Sequence, residues 1–374
     1  MAAIKALSQE QKLQALRLWR SENVGPMTFW GLMRHYGSAE NALAALPELA
    51  KRGGRKKPLV AISLAEVEKE YRAIEALGAG LVAWCEPEYP DGLRQITDAP
   101  PFIVTKGFQH LLRKASIAVV GARNASLNGQ KIARQFATGF GEHGFVVTSG
   151  LARGIDRAAH EASLDSGTIA VMAGGIDHIY PSENRDLYAQ IAERGLIISE
   201  WPPGVVPQAS FFPRRNRLIS GLSVGVVVVE AALQSGSLIT ARMAAEQGRE
   251  VFAVPGSPAD PRARGSNLLL KEGAQLAETP DDVLQAFQRG YRGDLRETGD
   301  EWLNAPMAMQ QVEERVDAAR AWLLEVLSPT PIAMDEILRQ APFHIGEVMA
   351  AILELELAGR IERQPGNKIC VLIT

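Results

Sequence analysis

Between about residue 80 and residue 290, short apolar runs rich in β-branched residues alternate with helix-length segments. The runs are Ile117 to Val120, Phe145 to Thr148, Ile169 to Met172, Leu196 to Ser199, Val224 to Val229 and Val251 to Val254. The segments between them are about Gly129 to His143, Asp156 to Ser166, Glu183 to Arg194 and Ser237 to Gly248. Parallel strands need a long crossover, and a helix supplies it, so this alternation predicts a parallel sheet with helices on both faces. The runs show no in/out alternation, as expected of strands covered on both sides. The predicted fold class is α/β, with the sheet domain over residues 73–290.

The flanks read differently. Residues 1–72 are helical: Leu13, Leu16, Leu18 and Trp19 share one apolar pattern, Val24-Gly25-Pro26 breaks it, and Phe29, Leu32, Met33 and Tyr36 begin another. A helix, a glycine-containing turn and a helix fit either a plain bundle or a SAM or helix-hairpin-helix-like domain, whose turn amides can face phosphate. Lys51 to Pro58 reads as an exposed basic loop. Residues 291–312 are polar and acidic, a linker. Residues 313–374 offer three short helices, then a turn and a terminal strand, the pattern of a winged helix. A chain of 374 residues fits this division.

Composition narrows the function. The formal net charge is -3, so the chain lacks the basic excess of a protein that coats duplex DNA. Cys85 and Cys370 stand far apart and form no metal-ligand spacing, which fits a reducing compartment. No run is long enough to span a bilayer and no leader pattern opens the chain, so a cytoplasmic protein without a membrane partner is expected.

In an open parallel sheet, ligands bind outside the carboxyl ends of the strands. The polar motifs fall there. Gly121-Ala122-Arg123 follows one run, and Ser149-Gly150-Leu151-Ala152-Arg153-Gly154-Ile155-Asp156 follows the next. The second has the makings of an anion cradle, although Asp156 also fits a helix cap. Tyr180-Pro181-Ser182-Glu183-Asn184 comes after the third, and Ser235-Gly236-Ser237-Leu238-Ile239-Thr240 after the Val224 run. Phe211-Phe212-Pro213-Arg214-Arg215-Asn216-Arg217 concentrates three arginines and two aromatics. Guanidinium binds phosphate and aromatic faces stack on bases, so this segment points to a nucleic-acid strand; the same composition also fits a surface loop with solvated arginines.

Catalysis finds less support. Asp156 and His160 share a helix face, but there is no nucleophile elbow of the G-x-S-x-G type (Gly221 to Gly225 spells the letters ahead of an apolar run, not between a strand and a helix), no H-E-x-x-H and no dinucleotide fingerprint. His160 is read as a hydrogen-bonded packing residue. No catalytic residue, metal or cofactor is expected.

Taken in order, these loops resemble the DNA-processing protein A (DprA/Smf) family. The matching segments are Val120-Gly121-Ala122-Arg123, Ser149 to Asp156 with Ala159-His160, Tyr180-Pro181 with Asn184, Ser199-Glu200, Phe212-Pro213 with Arg215-Asn216-Arg217, Ser235 to Ala241, and Pro255-Gly256. The resemblance implies an extended Rossmann-like domain that binds single-stranded DNA without catalysis, a homodimer, and delivery of the strand to the RecA recombinase in natural transformation. It implies a DNA site of Gly121, Arg123, Ser149, Gly150, Arg153, Gly154, Asn184, Phe212, Arg214, Arg215, Asn216, Arg217, Ser235, Gly236, Ser237 and Thr240. Arg123 is the phosphate-binding arginine and Phe212 the stacking aromatic. Leu268, Leu269, Leu270 and Gly273 are the implied dimer contacts. One departure stands out: Ser182 follows Tyr180-Pro181 where many members carry a basic residue, so that contact is expected to be absent or to come from another residue, Arg214 or Arg185. The alternative reading is a nucleotide-processing enzyme like the phosphoribohydrolases of the same core, but no glutamate follows Ser235-Gly236-Ser237 as it does in their loop.

The last unit needs its own reading. Ile345 to Gly359, the third helix of the expected winged helix, carries Glu347, Glu354 and Glu356 and no basic residue. Acidic groups facing phosphate are repelled. A protein-interaction or dimer-supporting role is expected, or DNA contact only through Arg360, Arg363 and Lys368.

Overall fold

A computed structural model describes residues 7–57, 59–290, 309–364 and 366–372. The described chain forms two compact units, residues 69–290 (the sheet unit) and residues 7–68 with 309–372 (the terminal unit).

In chain order, the terminal unit opens with α1 (Gln9–Arg20), α2 (Pro26–Tyr36) and α3 (Ala39–Arg52), and α4 (Leu64–Ala76) leads into the sheet unit. There follow β1 (Gly80–Ala83), α5 (Asp91–Arg94), β2 (Phe102–Gly107), β3 (Ser116–Val120), α6 (Leu127–Glu142), β4 (Val146–Ser149), α7 (Ile155–Ala162), β5 (Thr168–Val171), α8 (Arg185–Arg194), β6 (Leu196–Ser199), α9 (Phe211–Leu222), β7 (Gly225–Val228), α10 (Gly236–Glu246), β8 (Glu250–Ala253), α11 (Arg264–Lys271), β9 (Gln275–Leu276) and α12 (Pro280–Gly290). The chain returns to the terminal unit with α13 (Met309–Val326), β10 (Ile332–Ala333), α14 (Met334–Gln340), α15 (Ile345–Leu357), β11 (Ile361–Gln364) and β12 (Lys368–Val371). Of the expected linker, residues 291–308 lie outside the described residues, and 309–312 belong to α13.

The sheet has the order β1-β2-β6-β5-β4-β3-β7-β8-β9. Strands β6 through β9 run parallel, and β1 and β2 extend one edge antiparallel. Strand order reverses at β3, between β4 and β7, which opens a crevice at their carboxyl ends. Both faces are covered, which explains the uninterrupted apolar runs. Ala118, Val120, Val226 and Val228 pack with Leu218, Ile219, Ala241 and Ala244 of α9 and α10. The intervening Ile117, Val119 and Val227 pack with Phe136, Phe140 and Ala158 of α6 and α7.

The segment Phe211 to Arg217 is not a loop. It opens α9, and Arg215, Asn216 and Arg217 are buried. Between Pro213 and Leu218 the helix carries four polar residues in a row, and Phe211 and Phe212 are adjacent, so no helical apolar spacing announces its first two turns.

In the terminal unit, Ser8 caps α1 in a capping box with Gln11. The sheet β10-β12-β11 and helices α13 to α15 enclose a core of Val316, Leu323, Ile337, Ile352, Leu355 and Ile369, the expected winged-helix arrangement. Among the described residues, no helix is long and apolar enough to cross a membrane.

Candidate nucleic-acid interface

The loop after β4 shows how the crevice is built. Gly154 has φ 75°, and a Cβ there would stand 2.3 Å from the Ala122 carbonyl oxygen, so only glycine lets the β4 loop lie against the β3 loop. Gly121 is confined too, since a Cβ there would stand 2.6 Å from Ile155 Cγ1. Asp156, in the first turn of α7, accepts from the Gly150 and Ala152 N–H groups at 3.0 and 3.4 Å. The Ser149 hydroxyl donates to the Val119 carbonyl at 2.7 Å. The reading of this loop as an open anion cradle is therefore corrected: two of its amides and its hydroxyl are filled from within the chain.

His160 completes the support. Thr168 Oγ1 donates to the Val147 carbonyl at 3.0 Å, so it accepts from His160 Nδ1–H at 2.7 Å. Nε2 then accepts the Leu151 N–H at 3.3 Å, which requires a neutral ring. Burial, aided by the Arg215 charge, brings the His160 pKa down to about 3. Asn184 is also buried, donating to the Leu151 and Ala152 carbonyls at 2.8 and 3.2 Å and accepting from Arg157 at 2.9 Å.

From α9, Arg215 donates to the Gly150 carbonyl at 2.6 Å and to that of Val171. Its pKa falls to about 10 through burial, opposed by the Asp156 carboxylate and reinforced by the nearby Arg123 charge. Arg217 pairs with the buried Glu200 and with Asp98. Asn216 donates to the Gly236 carbonyl at 3.2 Å, tying α9 to the next loop. In that loop Ser235 and Ser237 bond each other at 2.7 Å, Thr240 is buried and Gly236 is exposed.

What faces outward is a smaller set. A cavity of about 270 Å³ is lined by Arg123, Arg153, Tyr180, Phe212 and one side of Arg215, with Ser182 and Glu183 at its wall. The Arg123 guanidinium sits 5.2 Å over the Phe212 ring, and Tyr180, half exposed, meets that ring edge-on at 5.3 Å. Three arginines and two aromatics line one cavity, and the Arg123 charge bears unfavourably on Arg215. An anion between them would relieve that repulsion, with a flat ring beside it.

Arg123, Arg153 and Arg215 line the cavity with Ser182, and Arg153 stands 3.6 Å from Glu183. Arg214 turns instead to Glu200, at 3.3 Å, and over Trp201, at 4.8 Å. Trp201 stacks on Phe211 with centroids 4.1 Å apart. Tyr180, which lines the cavity, is not among the expected site residues, although it belongs to the Tyr180-Pro181 motif. Leu268 is exposed on α11, Leu269 packs against the sheet core, and Gly273 is exposed with φ 105°.

The family model for DNA recombination-mediator protein A matches residues 80–288, the span of this site. The chain belongs to that family. Two further models flank it, the DprA-like N-terminal HHH domain over residues 9–73 and the DprA winged helix domain over residues 307–367. The chain is 41% identical to Protein Smf of Escherichia coli over 75% of this chain and 74% of that protein. It is 40% identical to DNA processing protein DprA of Streptococcus pneumoniae over 68% of this chain and 90% of that one. The solved structure of the S. pneumoniae protein superposes with a TM-score of 0.66 at 35% identity, covering 75% of this chain and 98% of that chain. A DprA structure from Helicobacter pylori, described by its single-stranded DNA binding mode, gives 0.52 at 28% identity, over 57% and 96%.

Proposed function

We propose that this protein binds single-stranded DNA without catalysis, in the crevice at the carboxyl ends of β3, β4 and β5. One observation carries the reading: Arg123 and Phe212 are in cation–π contact at the opening of a cavity floored by Arg215. A charge next to an aromatic face supports this reading, because a sequence-tolerant strand binder needs one group for phosphate and one for stacking. Arg123 and Arg153 take phosphates, Phe212 and Tyr180 take a base, and Gly236 lets backbone approach the strand. Ser149, Gly150, Gly154, Asn184, Arg215, Asn216 and Arg217 hold the loops in shape. The Asp156 and His160 environments support the non-catalytic reading, because both groups are occupied in holding the β4 loop.

A recombination mediator hands its strand to a recombinase, and RecA in the cytoplasm is the proposed recipient. Leu268 on α11 supports self-association into a homodimer through the sheet unit.

The test is fluorescence anisotropy of a labelled oligothymidine at several salt concentrations, beside a duplex of equal length. Salt-sensitive, single-strand-preferring binding that Arg123→Ala weakens is expected. Equal binding to duplex, unaffected by Arg123→Ala, would reject the site.

A further inference from the structure

The terminal unit brings together the two elements that, taken alone, suggest nucleic-acid contact: the helix-hairpin-helix turn between α1 and α2, and the third winged-helix helix, α15. In the turn, Asn23 adopts φ 61° and its Nδ2 donates to the Leu357 carbonyl at 3.1 Å. The preceding carbonyls of that helix end, Leu355 and Glu356, are satisfied by the Arg360 and Gly359 N–H groups. Asn23 thus supplies a partner that the last turn of α15 cannot provide for itself.

Helix α3 approaches the same helix from its own carboxyl end. A Cβ on Gly53 would lie 2.1 Å from the Glu354 carbonyl oxygen and 2.7 Å from Ala358 Cβ. Gly53 has φ -66° and ψ -1°, a conformation open to any residue, so its lack of a side chain serves the close approach and not the backbone angle. A Cβ on Gly31 of α2 would stand 3.7 Å from Leu353 Cδ1.

The acidic side chains of α15 are taken up by arginines of the same unit. Glu347 pairs with Arg315 at 3.0 Å and Glu354 bonds Arg320 Nε at 2.9 Å, both arginines lying on α13. Both glutamates are buried. Burial raises the Glu354 pKa, and the charges of Arg320 on one side and Arg52 of α3 on the other lower it.

We propose that α15 is a docking helix for the chain's own N-terminal helices, not a reader of duplex DNA, and that through it the two ends of the chain form one cooperative unit. The inference is independent of strand binding in the sheet unit.

The test is peptide-resolved hydrogen exchange on the full chain, comparing wild type with Gly53→Val, Gly53→Ala and Asn23→Ala. Gly53→Val is expected to raise exchange tenfold or more in peptides from residues 39–57 and from residues 345–360 together, leaving residues 116–254 unchanged. The milder Gly53→Ala and Asn23→Ala should raise exchange over the same two stretches, by less. A rise confined to residues 39–57 would overturn the proposal. So would protection of α15 amides when a 20-base-pair duplex is added to wild type.

Discussion

Helix α9 buries two arginines, Arg215 and Arg217, and helix α15 buries two glutamates, Glu347 and Glu354. Each lies where its motif suggests contact with nucleic acid. Three of these buried charges pair with a side chain on another element, Arg217 with Glu200 and Asp98, Glu347 with Arg315 and Glu354 with Arg320, while Arg215 is held by the Gly150 and Val171 carbonyls. The difference lies in what surrounds the helix. At the start of α9, Phe212 and Arg214 remain partly exposed beside the exposed Arg123, so the buried charges support an open surface. Around α15, Asn23 and Gly53 fill the space, so the buried charges support a closed contact. Charge in a motif therefore does not identify a binding face; the exposed neighbours of a buried charge do.

The largest effect should come from breaking the α9 network. Arg217→Ala removes the buried partner of Glu200, 2% exposed, and leaves it the more exposed Arg214 at 3.3 Å; the change is expected to cost about 3–5 kcal/mol. Glu354→Ala should cost less, about 1.5–3 kcal/mol, because Arg320 keeps Asp317 at 2.8 Å. Urea unfolding followed separately in the two units would check both. The comparison breaks if Arg217→Ala is the milder change, or if Glu354→Ala destabilises the sheet unit.

His160 gives the next effect, through pH. Its folded pKa of about 3 lies below the ordinary 6.5, so the unfolded chain binds more protons across that interval. Its contribution is complete above about pH 6.5 and is lost as pH falls toward 3, at up to about 1.4 kcal/mol per unit. By pH 5 this amounts to about 2 kcal/mol. His160→Gln, which keeps a polar side chain but cannot titrate, should remove that slope between pH 6.5 and 5. An unchanged slope would mean that the imidazole is not held neutral.

The sheet was legible because each central strand is buried on both faces and each crossover is a helix, so apolar runs and gaps encode it directly. The edge strands were not: β9 is two exposed residues with no pattern to read. The site was legible as a set of loops, since glycines and hydroxyls cluster where strands end. Which residues face outward was not legible. Arg215 and Arg217 lie beside Arg214 in sequence, and only distant groups, Asp156, Glu200 and Asp98, decide that they turn inward. The contact of Asn23 with Leu357 spans 334 positions, beyond any local pattern.

Within the open surface, stacking and charge should separate. Phe212→Ala is expected to weaken binding of oligothymidine by about 1–3 kcal/mol, with little change in salt dependence, because a stacked base releases no counterion. A salt slope that shifts as much as for an arginine variant would argue that Phe212 acts by placing Arg123.

Arg123→Ala should give the smallest loss at physiological salt and the clearest signature. One phosphate contact fewer lowers the slope of log affinity against log salt by about 1, so the loss grows as salt is reduced and shrinks as it is raised. The two residues touch, with the guanidinium 5.2 Å over the ring, so their effects should not add. In the double variant the cation–π contact is lost only once, and the combined loss should fall short of the sum by about 0.5–1 kcal/mol. Strict additivity would place the charge and the ring in separate contacts with the strand, and the crevice would then act as two sites.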